Sequence, residues 1–452
     1  MAWFYPVFAT ATSTETASPT LILAGVLLTL IVIYFASKVG GELCSRIGLP
    51  AVLGELVGGV VIGVSALKLV IFPEGGLSGD ESLIIQFLET TANLEPSSAE
   101  KVFDTVSEVI SIFSELGVII LLFEIGLESD LKELIRVGPS ASVVAVAGVV
   151  VPFALGTFGL DYFFHLPLIP SIFAGAALTA TSIGITAKVL AELGQLSSKE
   201  GQIIIGAAVL DDILGIIVLA VVASLAKTGE IQISQIVYLI ISAGAFLIGA
   251  ILIGRLISPW LVGLVNQMKT RGDILITGLI FAFTLAYIAN VIQLEAILGA
   301  FAAGLILAET EKRKELEEQI IPVADMFVPI FFVCVGAKTD LSVLNPAVPS
   351  NREGLIIASF LIVVAIIGKV VAGFTIWAQP EVNRLAVGVG MIPRGEVGLV
   401  FAGVGAASGA LSPATDAAII VMVIVTTFVA PPLLKLVFKE PVPTTETETK
   451  VN

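Results

Sequence analysis

The sequence predicts an all-α polytopic membrane protein, and both its composition and its hydropathy pattern support this fold class. Hydrophobic side chains make up 56% of the 452 residues and charged ones only 13%, against about 25% charged residues in an average soluble domain. Apolar stretches of roughly 20 residues, the length that crosses a bilayer as a helix, recur along nearly the whole chain. These observations exclude a water-soluble protein. The net charge of −15 also argues against a nucleic-acid partner, which would require a basic surface.

Breaking the chain at its clusters of charged residues, proline and glycine leaves thirteen apolar segments, lettered A to M, each predicted to be a membrane-spanning helix. Short connections join them, except for one long acidic loop over 72–106. This loop is interpreted as a solvated amphipathic loop in preference to a lid. The segments cover about 20–37, 49–71, 107–127, 137–160, 168–191, 201–225, 233–258, 272–289, 294–309, 321–337, 354–378, 383–407 and 415–438.

The segments predict a thirteen-helix unit over 20–438, preceded by a polar leader over 1–19 and followed by a short tail over 439–452. The leader has no Lys or Arg and therefore lacks the charged start of a signal peptide. The two cysteines, Cys44 and Cys334, are far apart in the sequence, so we interpret both as packing residues rather than as a disulfide or a metal cluster.

The distribution of basic residues predicts the orientation, because loops rich in Lys and Arg stay on the cytoplasmic side. Most of the 23 basic residues lie in the A–B, C–D, E–F, G–H, I–J and K–L connections and the tail. The N-terminus is therefore expected outside and the C-terminus inside. The connections on the opposite face hold only Lys68, Lys101, Lys227, Lys338 and Arg352.

Two internal matches predict an inverted repeat. The stretch from Ile47 resembles that from Ile292, and the stretch from Leu121 resembles that from Phe331, where Gly126 aligns with Gly336 and Asp130 with Asp340. Segments B to F then pair with I to M, giving repeat one over 47–225, linker helices over 233–289 and repeat two over 292–438. Because B and I lie seven spans apart, they enter the bilayer from opposite sides. Inverted repeats are typical of transporters with a central site that alternates between faces.

Three ionisable residues near the middle of predicted spans are the main candidates for function. Asp211 and Asp212 lie near the centre of segment F, and Lys369 lies at a comparable depth in segment K. A charge in the bilayer is costly and therefore marks a functional site by default. Adjacent helical residues point about 100° apart, so one aspartate is expected to bind a cation and the other to pair with Lys369. The alternative is a purely structural Asp–Lys pair, which leaves the second aspartate without a role.

Segments E and L each carry a predicted break near mid-span. Segment E contains Thr181 and Ser182 within TATSIGIT, and segment L contains Pro393-Arg394-Gly395 followed by Glu396. Such breaks free backbone carbonyls that can face a central cavity, and hydroxyl oxygens can add ligands for a hard cation. Thr and Ser hydroxyls can instead bond to their own helix. We expect Arg394 and Glu396 to neutralise each other rather than to contact the ion.

These motifs resemble the monovalent cation:proton antiporter-2 family in its sodium/proton branch. The resemblance covers about 20–438, and the sequence is most similar to cyanobacterial sodium/proton antiporters of thylakoid membranes. It implies a dimerisation domain and a six-helix core domain that moves as an elevator, with segments E and L crossing as broken helices. By the same resemblance, Asp212 is the carboxylate that binds Na⁺, Asp211 is the partner of Lys369, and Thr181 is a further ligand.

The resemblance predicts a homodimeric, multi-pass secondary antiporter that exchanges Na⁺, or alternatively Li⁺ or K⁺, for H⁺. The aspartate pair implies electrogenic exchange, and the short tail disfavours ligand-gated potassium efflux. No nucleotide-binding motif or metal-ligand spacing occurs, so neither an enzyme nor a resident cofactor is expected. The host membrane is expected to be a bacterial inner membrane or a thylakoid membrane. A gated cation channel, a sodium-coupled symporter and a non-transporting receptor are the alternatives from other classes.

Overall fold

A computed structural model describes residues 18–73, 76–92, 94–228, 233–268, 270–377 and 379–438. The predicted leader and tail, apart from residues 18 and 19, lie outside these ranges. The described residues form α-helices and two short 3-10 turns, with no strand among them. The helices are α1 (Pro19–Arg46), α2 (Ala51–Ile62), α3 (Leu83–Ala92), α4 (Pro96–Glu128), α5 (Leu131–Phe164), α6 (Leu168–Ala177), α7 (Ile183–Glu192), α8 (Lys199–Thr228), α9 (Ile233–Val265), α10 (Asp273–Val291), α11 (Ala296–Ala308), α12 (Arg313–Ala337), α13 (Pro349–Gly373), α14 (Arg384–Gly390), α15 (Glu396–Ala407) and α16 (Pro413–Val437).

Each predicted segment corresponds to one helix or, for E and L, to two. Within the described ranges, 9 helices are long and apolar enough to cross a membrane, and they correspond to segments A, C, D, F, G, H, J, K and M. The other four segments form shorter helices. Segments B and I, which begin the two proposed repeats, become α2 and α11 with 12 and 13 residues. The total of thirteen spans therefore stays a prediction.

The prediction of a loop over 72–106 is wrong for most of its length. The structure has a 3-10 turn at Gly79–Glu81, then α3, and α4 already begins at Pro96. Ile84, Ile85 and Leu88 of α3 are buried in a hydrophobic cluster that also contains residues of α1 and α4. Apolar residues at this spacing form one face of an amphipathic helix, which packs onto the spans rather than remaining solvated.

The two matched helices of the proposed repeat run in opposite directions. Val64, just after α2, donates its N–H to the carbonyl oxygen of Ala337 at the end of α12 over 3.1 Å, so α2 and α12 end at the same face. α11 ends at Ala308 and α12 begins at Arg313, so α11 ends at the opposite face. The opposed directions of α2 and α11 agree with an inverted repeat.

The aligned glycines of the repeat make equivalent contacts. A Cβ at Gly126 on α4 would clash with the backbone carbonyl of Phe301 on α11, and a Cβ at Gly336 on α12 would clash with that of Leu56 on α2. Phe301 and Leu56 are themselves aligned by the first match. Small residues let membrane helices approach this closely, so the two halves of the chain pack by the same helix–helix contact.

The helices pack into two units. In the core unit, α5 contacts α6, α8 and α13, α7 contacts α8 and α16, α13 contacts α14 and α16, and α15 contacts α6 and α16. In the scaffold unit, α4 contacts α11 and α12, α2 contacts α1 and α12, α3 contacts α1 and α4, and α11 contacts α9 and α10. The proposed repeats contribute to both units, because each begins with scaffold helices and continues into core helices.

Polar bonds join the two units at the face where α2 begins. The carboxylate of Glu192, the last residue of α7, accepts the N–H groups of Ala51 and Val52 over 2.8 and 3.2 Å. Lys435 on α16 donates to the carbonyl oxygen of Gly48, which lies just before α2. The positive end of the α2 dipole favours the Glu192 carboxylate at this position.

Candidate ion-binding site

Both predicted helix breaks are present in the structure. α6 ends at Ala177 and α7 begins at Ile183, while α14 ends at Gly390 and α15 begins at Glu396. In the second break, Pro393 has no N–H to donate to a continuous helix, which is the expected local cause. The residues just before α7 and α15, Ser182 and Gly395, are extended, and each break presents backbone N–H and C=O groups to its surroundings.

The two breaks bond directly to each other. The N–H of Ser182 donates to the carbonyl oxygen of Pro393 over 2.8 Å, and the Thr181 hydroxyl donates to that of Met391 over 3.1 Å. The hydroxyl of Thr186 on α7 similarly donates to the carbonyl oxygen of Gly390 over 2.9 Å. The hydroxyls of Thr181 and Thr186 thus bond across to the other break rather than back onto their own helix, and they satisfy carbonyls that the break would otherwise leave unpaired.

Asp211 and Lys369 form a fully buried ion pair. Their side chains are 0% exposed, and Lys369 Nζ lies 2.9 Å from Asp211 Oδ2. The same ammonium donates to the carbonyl oxygen of Thr179 in the α6–α7 break over 2.6 Å. Lys369 therefore links three elements of the core unit, namely α13, α8 and the first break. The other carboxylate oxygen of Asp211 has no hydrogen-bond partner among the described residues.

Sequence reasoning missed two groups that position Lys369. One is the Thr179 carbonyl, which becomes available only because the helix is broken after Ala177. The other is Gly148 on α5, where an added Cβ would lie 3.2 Å from Lys369 Nζ. The glycine leaves room for the ammonium beside α5. Nothing in the sequence distinguishes Gly148 from the other glycines of α5, because its contact with Lys369 depends on how α5 packs against α13.

Arg394 is also fully buried and bonds to the opposite break. Its Nη1 donates to the carbonyl oxygen of Ala180 in the opposite break, while Nε and Nη2 have no hydrogen-bond partner among the described residues. Its own carbonyl oxygen accepts the hydroxyl of Thr427 on α16. The predicted pairing with Glu396 falls on a side chain outside the described part of the structure. Through its bond to Ala180, Arg394 holds the second break against the first where the two cross.

Asp212 faces a different space from Asp211. It is 5% exposed and lines a small pocket with room for about one water-sized sphere. Asp211 is not among the residues that line this pocket, which agrees with the roughly 100° between adjacent helical residues. Sequence reasoning missed Glu295, the acidic pocket residue immediately before α11. The lining residues are Thr181, Ser182, Ile183, Asp212, Glu295, Ile297, Gly395 and Val397.

The pocket has the chemistry of a site for a small monovalent cation or a proton. Asp212 supplies a carboxylate, and Thr181 and Ser182 supply hydroxyl oxygens, the type of ligand that hard cations prefer. The pocket residues Ile183 and Gly395 lie where the half-helices α7 and α15 begin, as in transporters whose discontinuous helices surround a binding site. Within the described residues, no group of three or more His, Cys, Asp or Glu side chains has the arrangement of a metal site.

Comparison with known proteins gives consistent results along nearly the entire chain. Residues 26–440 match the family described as "Sodium/hydrogen exchanger, transmembrane". The chain is 73% identical over 435 residues to the high-affinity Na(+)/H(+) antiporter NhaS3 of Synechocystis, covering 96% of this chain and 94% of that relative. It is 32% identical over 410 residues to the Na(+)/H(+)-K(+) antiporter GerN of Bacillus cereus, covering 90% of this chain and 94% of GerN.

A solved structure shares the fold. The sodium proton antiporter MjNhaP1 of Methanocaldococcus jannaschii superposes with a TM-score of 0.59 at 16% identity, over 92% of this chain and 100% of the other. The family expected from the sequence motifs is thereby confirmed, including the similarity to a cyanobacterial antiporter. On the match to 26–440 and the identity to these relatives, the chain belongs to the sodium/hydrogen exchanger family of transmembrane proteins.

Proposed function

We propose that this protein is a secondary antiporter that exchanges Na⁺ for H⁺ across a membrane, with Asp212 as the group for which the two ions compete. The observation that carries the proposal is the pocket in which the buried Asp212 carboxylate meets Thr181 and Ser182 between two helix breaks. The similarity to NhaS3, a Na(+)/H(+) antiporter, and to GerN, a Na(+)/H(+)-K(+) antiporter, supports sodium as a substrate.

The exchange follows from a single shared site. A carboxylate that binds a proton loses most of its affinity for a metal ion, because metal ligands of this type must be deprotonated. A pocket with room for about one water-sized sphere has no space for a second cation. Each cation that binds at Asp212 therefore displaces a proton, and each proton that binds expels a cation. Alternating exposure of such a site to the two faces gives antiport.

We further propose that the core unit moves against the scaffold unit as an elevator. Asp211, Asp212, Lys369 and Arg394 all belong to α8, α13 and the second break, so the charged part of the site can move with the core unit as one body. The Glu192 carboxylate and Lys435 join the units at one face through three polar bonds, and α7 also packs against α2 and α4. Breaking a few bonds of this kind is compatible with a reversible transition.

The Lys369–Asp211 pair supports electrogenic exchange. If cation binding at Asp212 also releases a proton from the Lys369 ammonium, more protons than cations cross in each cycle. The resemblance to paired-aspartate antiporters supports the same stoichiometry and a homodimeric assembly in the bilayer. By the family resemblance, the host membrane is proposed to be a thylakoid or bacterial inner membrane. The basic-loop asymmetry supports placing the C-terminus in the cytoplasm.

Proton flux in proteoliposomes tests the proposal. Wild-type protein reconstituted with an imposed pH gradient should dissipate it when Na⁺ is added, and Asp212→Asn should lose this response, because an amide cannot exchange a proton for a cation. Asp161→Asn is the matched control, since Asp161 is exposed near the end of α5. Parallel additions of Li⁺ and K⁺ define the cation preference.

Two outcomes would contradict the proposal. Full sodium-dependent proton flux in Asp212→Asn, with normal folding, would exclude Asp212 as the competition site. Sodium currents without coupled proton movement, saturating far above carrier rates, would instead indicate a gated channel. Uptake of an organic solute driven by sodium would indicate a symporter.

A further inference from the structure

The ion pocket is built from both packing units. Its core-unit residues are Asp212, Thr181, Ser182, Ile183, Gly395 and Val397, whereas Ile297 lies in α11 of the scaffold unit and Glu295 immediately before it. The pocket as it stands therefore depends on how the two units are placed. A core unit that moves along the scaffold unit carries Asp212 away from α11.

Glu295 places a second carboxylate at this composite pocket. It is the residue immediately before α11, it is half-buried, and it lines the pocket together with Asp212. α11 is anchored in the scaffold unit by contacts with α4, α9 and α10. The position of Glu295 is therefore fixed relative to the scaffold, while that of Asp212 is fixed relative to the core.

The location of Glu295 is asymmetric across the membrane. α11 and α2 run in opposite directions, so α11 begins toward the face at which α2 ends. At the other face, Glu192 bonds to the first residues of α2 and Lys435 bonds to Gly48 just before it, and these bonds join the two units. Glu295 thus lies on the side of the pocket away from these bonds, which the basic-loop pattern predicts to be the outer side.

We propose that Glu295 is a loading carboxylate that raises the affinity of the Asp212 site for alkali cations arriving from this one face. A fixed negative charge in a narrow, poorly solvated space increases the local cation concentration and the rate of encounter. Once the core unit has moved, Asp212 no longer shares a pocket with Glu295, and the site releases the cation at the other face without this contribution. This inference rests on the proposed antiport and assigns a role to a residue outside the core unit.

Sided kinetics test the inference. Proteoliposomes with a uniform protein orientation, verified by protease access to a C-terminal tag, are assayed with Na⁺ varied on either side. Glu295→Gln should raise the apparent KM for Na⁺ about tenfold from the α11-start face, and leave both the KM from the other face and the maximal rate nearly unchanged. Glu295→Asp, which keeps the charge, should stay close to wild type.

Glu309→Gln is the matched control, because Glu309 flanks the opposite end of the same helix and pairs with Arg255 over 2.8 Å. This variant should leave the KM from the α11-start face unchanged. An equal KM change from both faces in Glu295→Gln, or no change from either, would overturn the loading role. If wild-type protein shows no sodium-dependent proton flux, the proposed antiport itself fails, so the two failures are distinguishable.

Discussion

At the scale of single residues, the buried charges of the site divide into two groups with different environments. Lys369 is paired with Asp211 and also bonded to a backbone carbonyl, whereas Asp212 lines a pocket with hydroxyl oxygens. An ionised group removed from water is strongly destabilising unless it is paired and hydrogen-bonded. In this arrangement Lys369 compensates the charge of Asp211, while the Asp212 carboxylate is left to face the pocket.

Lys369→Gln tests the proposed contribution of the amine to charge movement. Glutamine can still donate a hydrogen bond to Asp211 but cannot carry a proton through the cycle, so exchange should continue without net charge movement. In proteoliposomes, an imposed membrane potential should alter the rate of wild-type exchange and leave that of the variant unaffected. Unchanged voltage dependence in Lys369→Gln would show that Lys369 only holds the helices together.

At the scale of elements, the two breaks stabilise each other because each supplies the partners that the other lacks. The hydroxyls of Thr181 and Thr186 and the N–H of Ser182 all donate to carbonyls of the opposite break. In a bilayer, unpaired backbone groups are so costly that irregular chain is tolerated only where protein or a cavity surrounds it. The crossing is therefore a condition for placing the proposed ion pocket among membrane-spanning helices.

Thr186→Val tests this mutual support. The substitution keeps the shape of a fully buried side chain and removes only the bond to the Gly390 carbonyl, so it should destabilise the protein by about 1 kcal/mol. The midpoint of thermal unfolding in detergent should fall relative to wild type. Thr284→Val is the control, because Thr284 is exposed and bonds back to Ile280 on its own helix. Equal effects of the two substitutions would argue against a special role for the crossing.

At the scale of the whole molecule, the interface between the core and scaffold units decides whether the site can move. At the face where α2 begins, Glu192 on the core unit contacts Ala51 and Val52 on the scaffold unit. The elevator model requires these contacts to break in every cycle. Contacts within one unit, such as that of Val64 with Ala337 over 3.1 Å, should persist.

A crosslink between the units tests the elevator. With Cys44 and Cys334 replaced, a cysteine pair at positions 51 and 192 bridged by a short thiol reagent should stop sodium/proton exchange, because the units can no longer separate. The matched control is a pair at positions 64 and 337, which crosslinks the scaffold unit internally and should leave exchange intact. Full exchange by the protein crosslinked between 51 and 192, verified by mass, would contradict the elevator.

The sequence alone predicted the features that depend on composition and local chemistry. Bilayer thickness and the cost of buried charge made the helical membrane fold and the candidates Asp211, Asp212 and Lys369 predictable, and the lack of a proline N–H made the second break predictable. The amphipathic helix α3 was missed, because its short apolar face lies within an acidic stretch that fits a loop equally well.

Only the tertiary structure decided which groups meet. The Lys369–Thr179 bond, the space left by Gly148, the bond from Arg394 to Ala180 and the position of Glu295 at the ion pocket all join residues from distant parts of the sequence. Hydropathy and spacing describe each helix separately, whereas these contacts depend on the rotation and crossing of packed helices. The charges and a pairing of Lys369 with one aspartate could therefore be predicted from the sequence, but the backbone partners and the other pocket residues had to come from the fold.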